Sequence, residues 1–134
     1  MIHSRDLNFS FSGLKTAVLY ALRKDPTLGT AEVARAFEDA AVEVLVVKTV
    51  KAAKAKNPKT IILAGGVSAN RHLRRELEAA IGASVPVLYP DAAFTGDNAA
   101  MIAAAGYLHA LDNDFTKPEE LAAYGRLSIE TKKR

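Results

Sequence analysis

From Thr30 to about Lys56, apolar and small residues return at helical spacing: Val33, Phe37, Ala40, Ala41, Val44, Leu45 and Ala52, with Lys48 in the same register. Thr30 is placed to cap this helix, and Glu32 sits in its first turn, where the helix dipole favours a negative charge. Asn57-Pro58 stops it, because the residue before a proline is pushed out of the helical region. A helix of about seven turns with one apolar stripe has to be covered by other elements.

The neighbouring segments supply them. Leu7 to Ser12 alternates apolar with small polar residues and predicts a short strand. Ser12 can then cap a helix carrying Leu14, Val18, Ala21 and Leu22 up to about Lys24, ended by Asp25-Pro26. Thr60-Ile61-Ile62-Leu63-Ala64, bounded by Pro58 and two glycines, predicts a buried strand. The helix after it has Leu73, Leu77 and Ala80 on one side and arginines on the other. Val85 to Tyr89 predicts a second strand, with Pro86 marking an edge or a first residue. Pro90-Asp91 turns the chain, Asp97 or Thr95 caps a helix of small residues from Asn98 to about Ala110, and Gly106 would let that helix approach a neighbour closely. Thr116-Lys117-Pro118-Glu119 reads as a capping box that opens a short final helix. Residues 128–134 are expected to fray.

The resulting order, β-α-α-β-α-β-α-α, is a helix-rich α/β chain. At 134 residues it is expected to form one domain over 1–134, or a piece of a larger one. Two or three strands are few for so many helical faces, which points to a larger protein. Apolar residues make up 49% of the chain and charged residues 25%, the balance of a water-soluble domain. No apolar run is long enough for a bilayer, and Met1 to Asp6 has no apolar core of a secretory signal. There is no cysteine, which removes disulfide and thiolate chemistry and fits a cytoplasmic location. A net charge of +3 permits a nucleic-acid partner without arguing for one. Lys48, Lys51, Lys54, Lys56 and Lys59 read as a solvated face, and Arg71, Arg74 and Arg75 form a second basic run.

Three stretches could carry chemistry. In "LAGGVSAN", Gly65 and Gly66 lack Cβ atoms and could let a purine or phosphate approach the main chain, while the N–H groups opening the next helix favour an anion. Asn70 could meet a ribose hydroxyl or a base. The alternative is a tight connection in which Ser68 or Asn70 merely caps the helix, and spacing does not separate the two. The glycine spacing matches neither a P-loop nor a dinucleotide fingerprint. In "FTGDNAAMIAAAG", Asp97 is either a metal ligand or a cap, and by residue chemistry the cap is favoured, because a lone carboxylate cannot build a metal site. In "NFSFSGLKT", Lys15 could meet a phosphate but is more simply a solvent-facing residue. His3, His72 and His109 share no metal-binding spacing and read as surface or half-buried residues. No Ser/His/Asp order, carboxylate pair or aromatic-basic pattern provides a catalytic residue.

Taken together, "DLNFSFSGLKTAV", "ARAFEDAAVEVLVVKT", "LAGGVSANRHLR" and "DNAAMIAAAG" resemble, in order and spacing from about Leu7 to Leu127, the carboxyl-terminal part of the bacterial tRNA threonylcarbamoyladenosine synthase family. That family is also known as TsaD or Gcp, and formerly as O-sialoglycoprotein endopeptidase. The resemblance implies one lobe of an actin/Hsp70/sugar-kinase fold of ribonuclease H-like type (ASKHA), two such lobes closing over a nucleotide. It implies transfer of a threonylcarbamoyl group from threonylcarbamoyl-adenylate to the exocyclic amine of adenosine 37 in tRNA. Gly65 and Gly66 would then form the adenosine-binding loop, Asn70 would bind the adenylate, and Asp97 would be one ligand of an active-site iron or zinc. Metal polarisation of the carbonyl and alignment of the two partners suit a reaction with no cysteine or serine nucleophile.

The family's His-x-x-x-His metal ligands and its Ser-Gly-Gly loop belong to an amino-terminal lobe and have no match here, and Thr95-Gly96 stands where many members have Cys-Thr. The chain alone is therefore expected to be inactive. Its expected partners are threonylcarbamoyl-adenylate, tRNA, the amino-terminal lobe and other proteins of the pathway, with no membrane contact. Two other readings are a lobe of a related nucleotide-binding protein such as a small-molecule kinase, and a non-catalytic interaction module. An apolar face left bare would favour self-association.

Overall fold

In the computed structural model, Ile2, Ser4 and residues 6–123 are described, and they fall into two compact units divided after Asp97. The expected fraying of 128–134 lies outside the described residues, as does His3.

The first unit is organised by helix α2, Thr30–Lys56. It ends as the sequence predicts: Asn57 turns into the left-handed region at φ 46° and donates its N–H to Ala53 O before Pro58. Helix α1, Ser12–Lys24, packs on α2, with Leu14 and Val18 sharing a shallow groove with Val33 and Phe37. Helix α3, Arg71–Ile81, makes the most extensive helix–helix contact with α2. Leu73 and Leu77, one turn apart, are both buried on α3.

Burial on α2 is two-sided, unlike the single stripe expected. Val42 and Val44 are both buried although two residues place them roughly 200° apart around the axis. Glu38 and Asp39, a turn before Val42, bond to Asn70 and His72 of α3. Val44 and Lys48 serve the other side. There Lys48, with 2% of its surface exposed, is buried instead of lying on a solvated lysine face. Its ammonium donates to Ser4 Oγ (2.8 Å), Asp6 Oδ1 (3.0 Å) and the carbonyls of Asp6 and Asn8. That arrangement also corrects the strand expected over Leu7–Ser12. Residues 7–11 form no strand; Lys48 takes the Asn8 carbonyl, which a strand partner would otherwise use.

Between α2 and α3 runs β1, Ile61–Ile62, and after α3 comes β2, Val87–Leu88. They pair in parallel, Ile61 opposite Val87 and Ile62 opposite Leu88, with Ile61 N–H donating to Pro86 O and Leu63 N–H to Leu88 O. Pro86 thus joins the ladder through its carbonyl alone, which suits a residue without an N–H. Successive strand residues face opposite sides. Ile61 and Val87 are half-buried, while Ile62 and Leu88 keep 74% and 55% of their surface exposed. The strand at 60–64 is present but not buried as expected: one face of this two-stranded sheet is bare.

Helix starts also differ by one residue. Phe11 and Gly29, not Ser12 and Thr30, occupy the N-cap positions, and neither makes a side-chain cap bond.

The second unit holds α4, Ala99–Leu111. Its cap is Asn98, whose Oδ1 accepts from Met101 N at 3.0 Å, rather than Asp97 or Thr95. Thr95 is buried and bonds back to Ala92 O instead. No residue of α4 is buried, and a Cβ added to Gly106 would meet nothing within 4 Å, so the close packing expected there is not found among the described residues. The final helix expected after Thr116 is a three-residue 3-10 turn, Pro118–Glu120, with Lys117 as its N-cap and no capping box. Among the described residues no helix is long and apolar enough to cross a membrane.

Candidate functional site

The chain leaves β1 through Leu63-Ala64 and reverses at Gly65, whose φ of 86° and ψ of 172° lie in a region open essentially to glycine. Gly66 to Ala69 form one 3-10 turn, closed by Ser68 N–H donating to Gly65 O at 2.9 Å. Asn70 then caps α3, its Oδ1 accepting from Leu73 N at 2.8 Å. Its Nδ2 donates to Glu38 Oε1, also at 2.8 Å, which ties the start of α3 to α2. Gly65 and Gly66 are exposed, and a Cβ built on either would meet nothing within 4 Å.

Gly65, Gly66 and Asn70 are therefore brought together in one turn with an open outer side. Asn70 is the cap, as the plainer sequence reading held, yet capping uses only part of it. A carboxamide has two N–H donors and two acceptor lone pairs, and the two bonds above engage one of each. Ser68 is fully buried, and its hydroxyl has no partner among the described residues.

Arg74, one turn into α3, reaches back to this bend. Its Nε donates to Ser68 O, one of its terminal nitrogens donates to Pro90 O at 3.2 Å, and its guanidinium carbon lies over the Tyr89 ring, 4.1 Å from the ring centre. The Tyr89 hydroxyl in turn donates to Glu78 Oε1 at 2.6 Å. That bond, and the charge of Glu78, hold the phenol proton on and raise the Tyr89 pKa above its ordinary value of 10.0, with Arg74 opposing. A raised folded value means stability present at neutral pH and lost as pH rises through it. In a tyrosinate absorbance titration, the difference between the chain and its Tyr89→Phe variant should place the phenol above 10.0, and Glu78→Gln should bring it back down.

Asp97 is exposed at the end of the segment that follows Pro90, and its carboxylate has no hydrogen-bond or ion-pair partner among the described residues. Among the described residues no hydrogen bond links it to the glycine turn. No three His, Asp or Glu side chains converge to hold a metal among the described residues, so the residues present do not make a metal centre. Lys15 is exposed, as expected. His72 is half-buried; Arg75 donates to its Nδ1 at 2.7 Å, leaving Nε2 to face Asp39 Oδ1 at 2.9 Å. The cleft around it, lined by Arg35, Asp39, Glu43, His72, Arg75 and Glu76, mixes both signs of charge and favours no ionic ligand.

Residues 2–104 match the family model described as tRNA N6-adenosine threonylcarbamoyltransferase, TsaD. The chain belongs to the TsaD family. Its sequence is 50% identical over 105 residues to the tRNA N6-adenosine threonylcarbamoyltransferase of Thermosipho melanesiensis, covering 78% of this chain and 32% of that relative. It is also 50% identical over 118 residues to the protein of that name in Burkholderia thailandensis, covering 81% and 34% respectively. The chain spans about a third of the length of the curated TsaD relatives it matches. Of the three stretches singled out from the sequence, residues 8–16 and 63–70 lie wholly within the matched residues, and 94–106 lies within them up to Ala104.

Sequence reasoning missed Glu38 and the specific tasks of Lys48 and Arg74. Lys48 carried a signal, since it falls in register with the buried side of α2. Glu38 carried none, because its partner lies 32 residues away.

Proposed function

We propose that this chain is the carboxyl-terminal lobe of a tRNA N6-adenosine threonylcarbamoyltransferase of actin/Hsp70/sugar-kinase architecture, and that its glycine turn seats the adenosine part of threonylcarbamoyl-adenylate. The observation that carries the reading is the open bend at Gly65-Gly66, held from behind by Asn70 and Arg74, in a chain of this family. The bare sheet face at Ile62 and Leu88 supports a place within a larger fold, because parallel sheets are ordinarily covered on both faces. We assign that cover to the remainder of the protein, in preference to a second copy of the chain.

In the reaction, the exocyclic amine of the tRNA adenosine attacks the carbamoyl carbonyl carbon, and the bond from that carbon to the adenylate phosphate oxygen breaks. AMP leaves, and the amine loses a proton. The task assigned to this chain is positioning: main-chain N–H groups and the unused amide atoms of Asn70 fix the adenylate while the acceptor approaches. Asp97, exposed and with no partner for its carboxylate among the described residues, is assigned as one ligand to an iron or zinc whose other ligands lie on the amino-terminal lobe. The setting is cytoplasmic, with tRNA and the other proteins of the pathway as partners.

The test is a chimera in which this chain replaces the matching third of the Thermosipho melanesiensis relative. Threonylcarbamoyladenosine should form on tRNA with the chimera and not with this chain alone. A well-folded chimera that binds no threonylcarbamoyl-adenylate analogue would overturn the reading.

A further inference from the structure

We propose that Arg74 is a positioning residue: it braces the glycine turn against the Pro90 bend, from which the chain runs on to Asp97. The proposal rests on the function proposed above and adds a residue that holds two parts of the site in register.

Three contacts on one side chain carry it. The guanidinium donates from Nε to Ser68 O, in the middle of the turn after Gly65, and from a terminal nitrogen to Pro90 O. Its cationic centre lies over the ring of Tyr89, the residue before Pro90, and Tyr89 is itself tethered to Glu78, one turn beyond Arg74 on α3. Two segments more than twenty residues apart in sequence therefore meet on one rigid planar group. Ser68 O and Pro90 O are main-chain acceptors, so the brace fixes backbone and not merely side chains.

The chemistry is specific to arginine. A fork with donors at fixed angles can hold two carbonyls at once while stacking on a ring; an ammonium is a single point with no flat face. The same contacts take Arg74 out of the basic run with Arg71 and Arg75. Two of its five N–H donors are thereby directed at carbonyls of its own chain.

Two variants and two readouts test the brace. Arg74→Lys keeps the stem and charge and should fold; Arg74→Met removes the charge. On this chain, amide hydrogen exchange at Ser68, Asn70, Phe94 and Thr95, whose N–H groups close the two bends, should accelerate about tenfold or more in both variants. In the chimera, Arg74→Lys should raise the KM for threonylcarbamoyl-adenylate about tenfold and lower kcat by up to about 100-fold, with the KM for tRNA unchanged. Unchanged exchange in both variants overturns the brace. Faster exchange with unaltered kinetics overturns its role in the site. A chimera without activity even with Arg74 in place counts against the proposed function, while the exchange experiment still decides the brace.

Discussion

Lys48→Ala should destabilise the folded chain by about 3 kcal/mol in a urea titration, the range for truncating a buried aliphatic stem. The lysine side chain is 1% exposed, so its methylenes pack as a core residue while its ammonium reaches Ser4, Asp6 and Asn8. Lys48→Met keeps most of the stem and removes the donors. It should cost only about 1–2 kcal/mol, because the carboxylate of Asp6 is 55% exposed and regains water. Both variants should loosen Ser4, Asp6 and Asn8 from α2, seen as faster amide exchange at Asn8, whose N–H donates to Asp6 Oδ1 at 3.0 Å. Acid behaviour gives an independent check. The Lys48 hydrogen bond, then the Asn8 N–H and the Ser4 hydroxyl, hold the Asp6 carboxyl below its ordinary 3.8. A depressed folded value means stability present above 3.8 and lost as pH falls through the lower folded value. In Lys48→Met this acid-side loss should shrink. A Met variant as stable as the parent, with Asn8 still protected, would show that the ammonium holds nothing.

What the sequence disclosed divides by how local the cause is. Asp25-Pro26 and Asn57-Pro58 end helices through proline geometry acting on the residue before it, and both ends fall where expected. Helix starts were legible only to within a residue, because Ser12 and Thr30 look like caps by type while the chain places Phe11 and Gly29 there. Asp97 and Asn98 are adjacent residues of equal capping chemistry, and nothing local chooses between them. A strand needs a partner, which alternation over Leu7–Ser12 does not supply. Lys48 shows a subtler gap: its register marked the buried side, but its charge class argued for solvent, and the oxygens brought by Ser4, Asp6 and Asn8 reconcile the two. At the candidate site, the turn from Gly65 to Asn70 was readable because strand, glycines and cap are contiguous. The tie from Asn70 to Glu38 and the reach of Arg74 to Pro90 are products of packing between distant segments, and no spacing rule encodes them.

The two glycines of that turn should respond in opposite ways, and the contrast separates a ligand cradle from a plain connection. Gly65 holds φ 86° and ψ 172°, so Gly65→Ala should cost about 1–3 kcal/mol whatever the turn is for. Gly66 is free of that constraint: its φ is not positive, and a Cβ there meets nothing within 4 Å. Gly66→Ala and Gly66→Val should therefore leave stability within about 0.5 kcal/mol of the parent. If the outer side of the bend receives the adenosine, the methyls of valine occupy the space the ligand needs, and the chimera should lose about 100-fold in affinity for a threonylcarbamoyl-adenylate analogue. Alanine, adding one methyl, should fall between. A glycine that the fold does not need, but the ligand does, is the signature of a surface built for close approach. Equal affinity for the Gly66→Val chimera and its parent would instead leave Gly65 as a tight-turn residue and Asn70 as a helix cap.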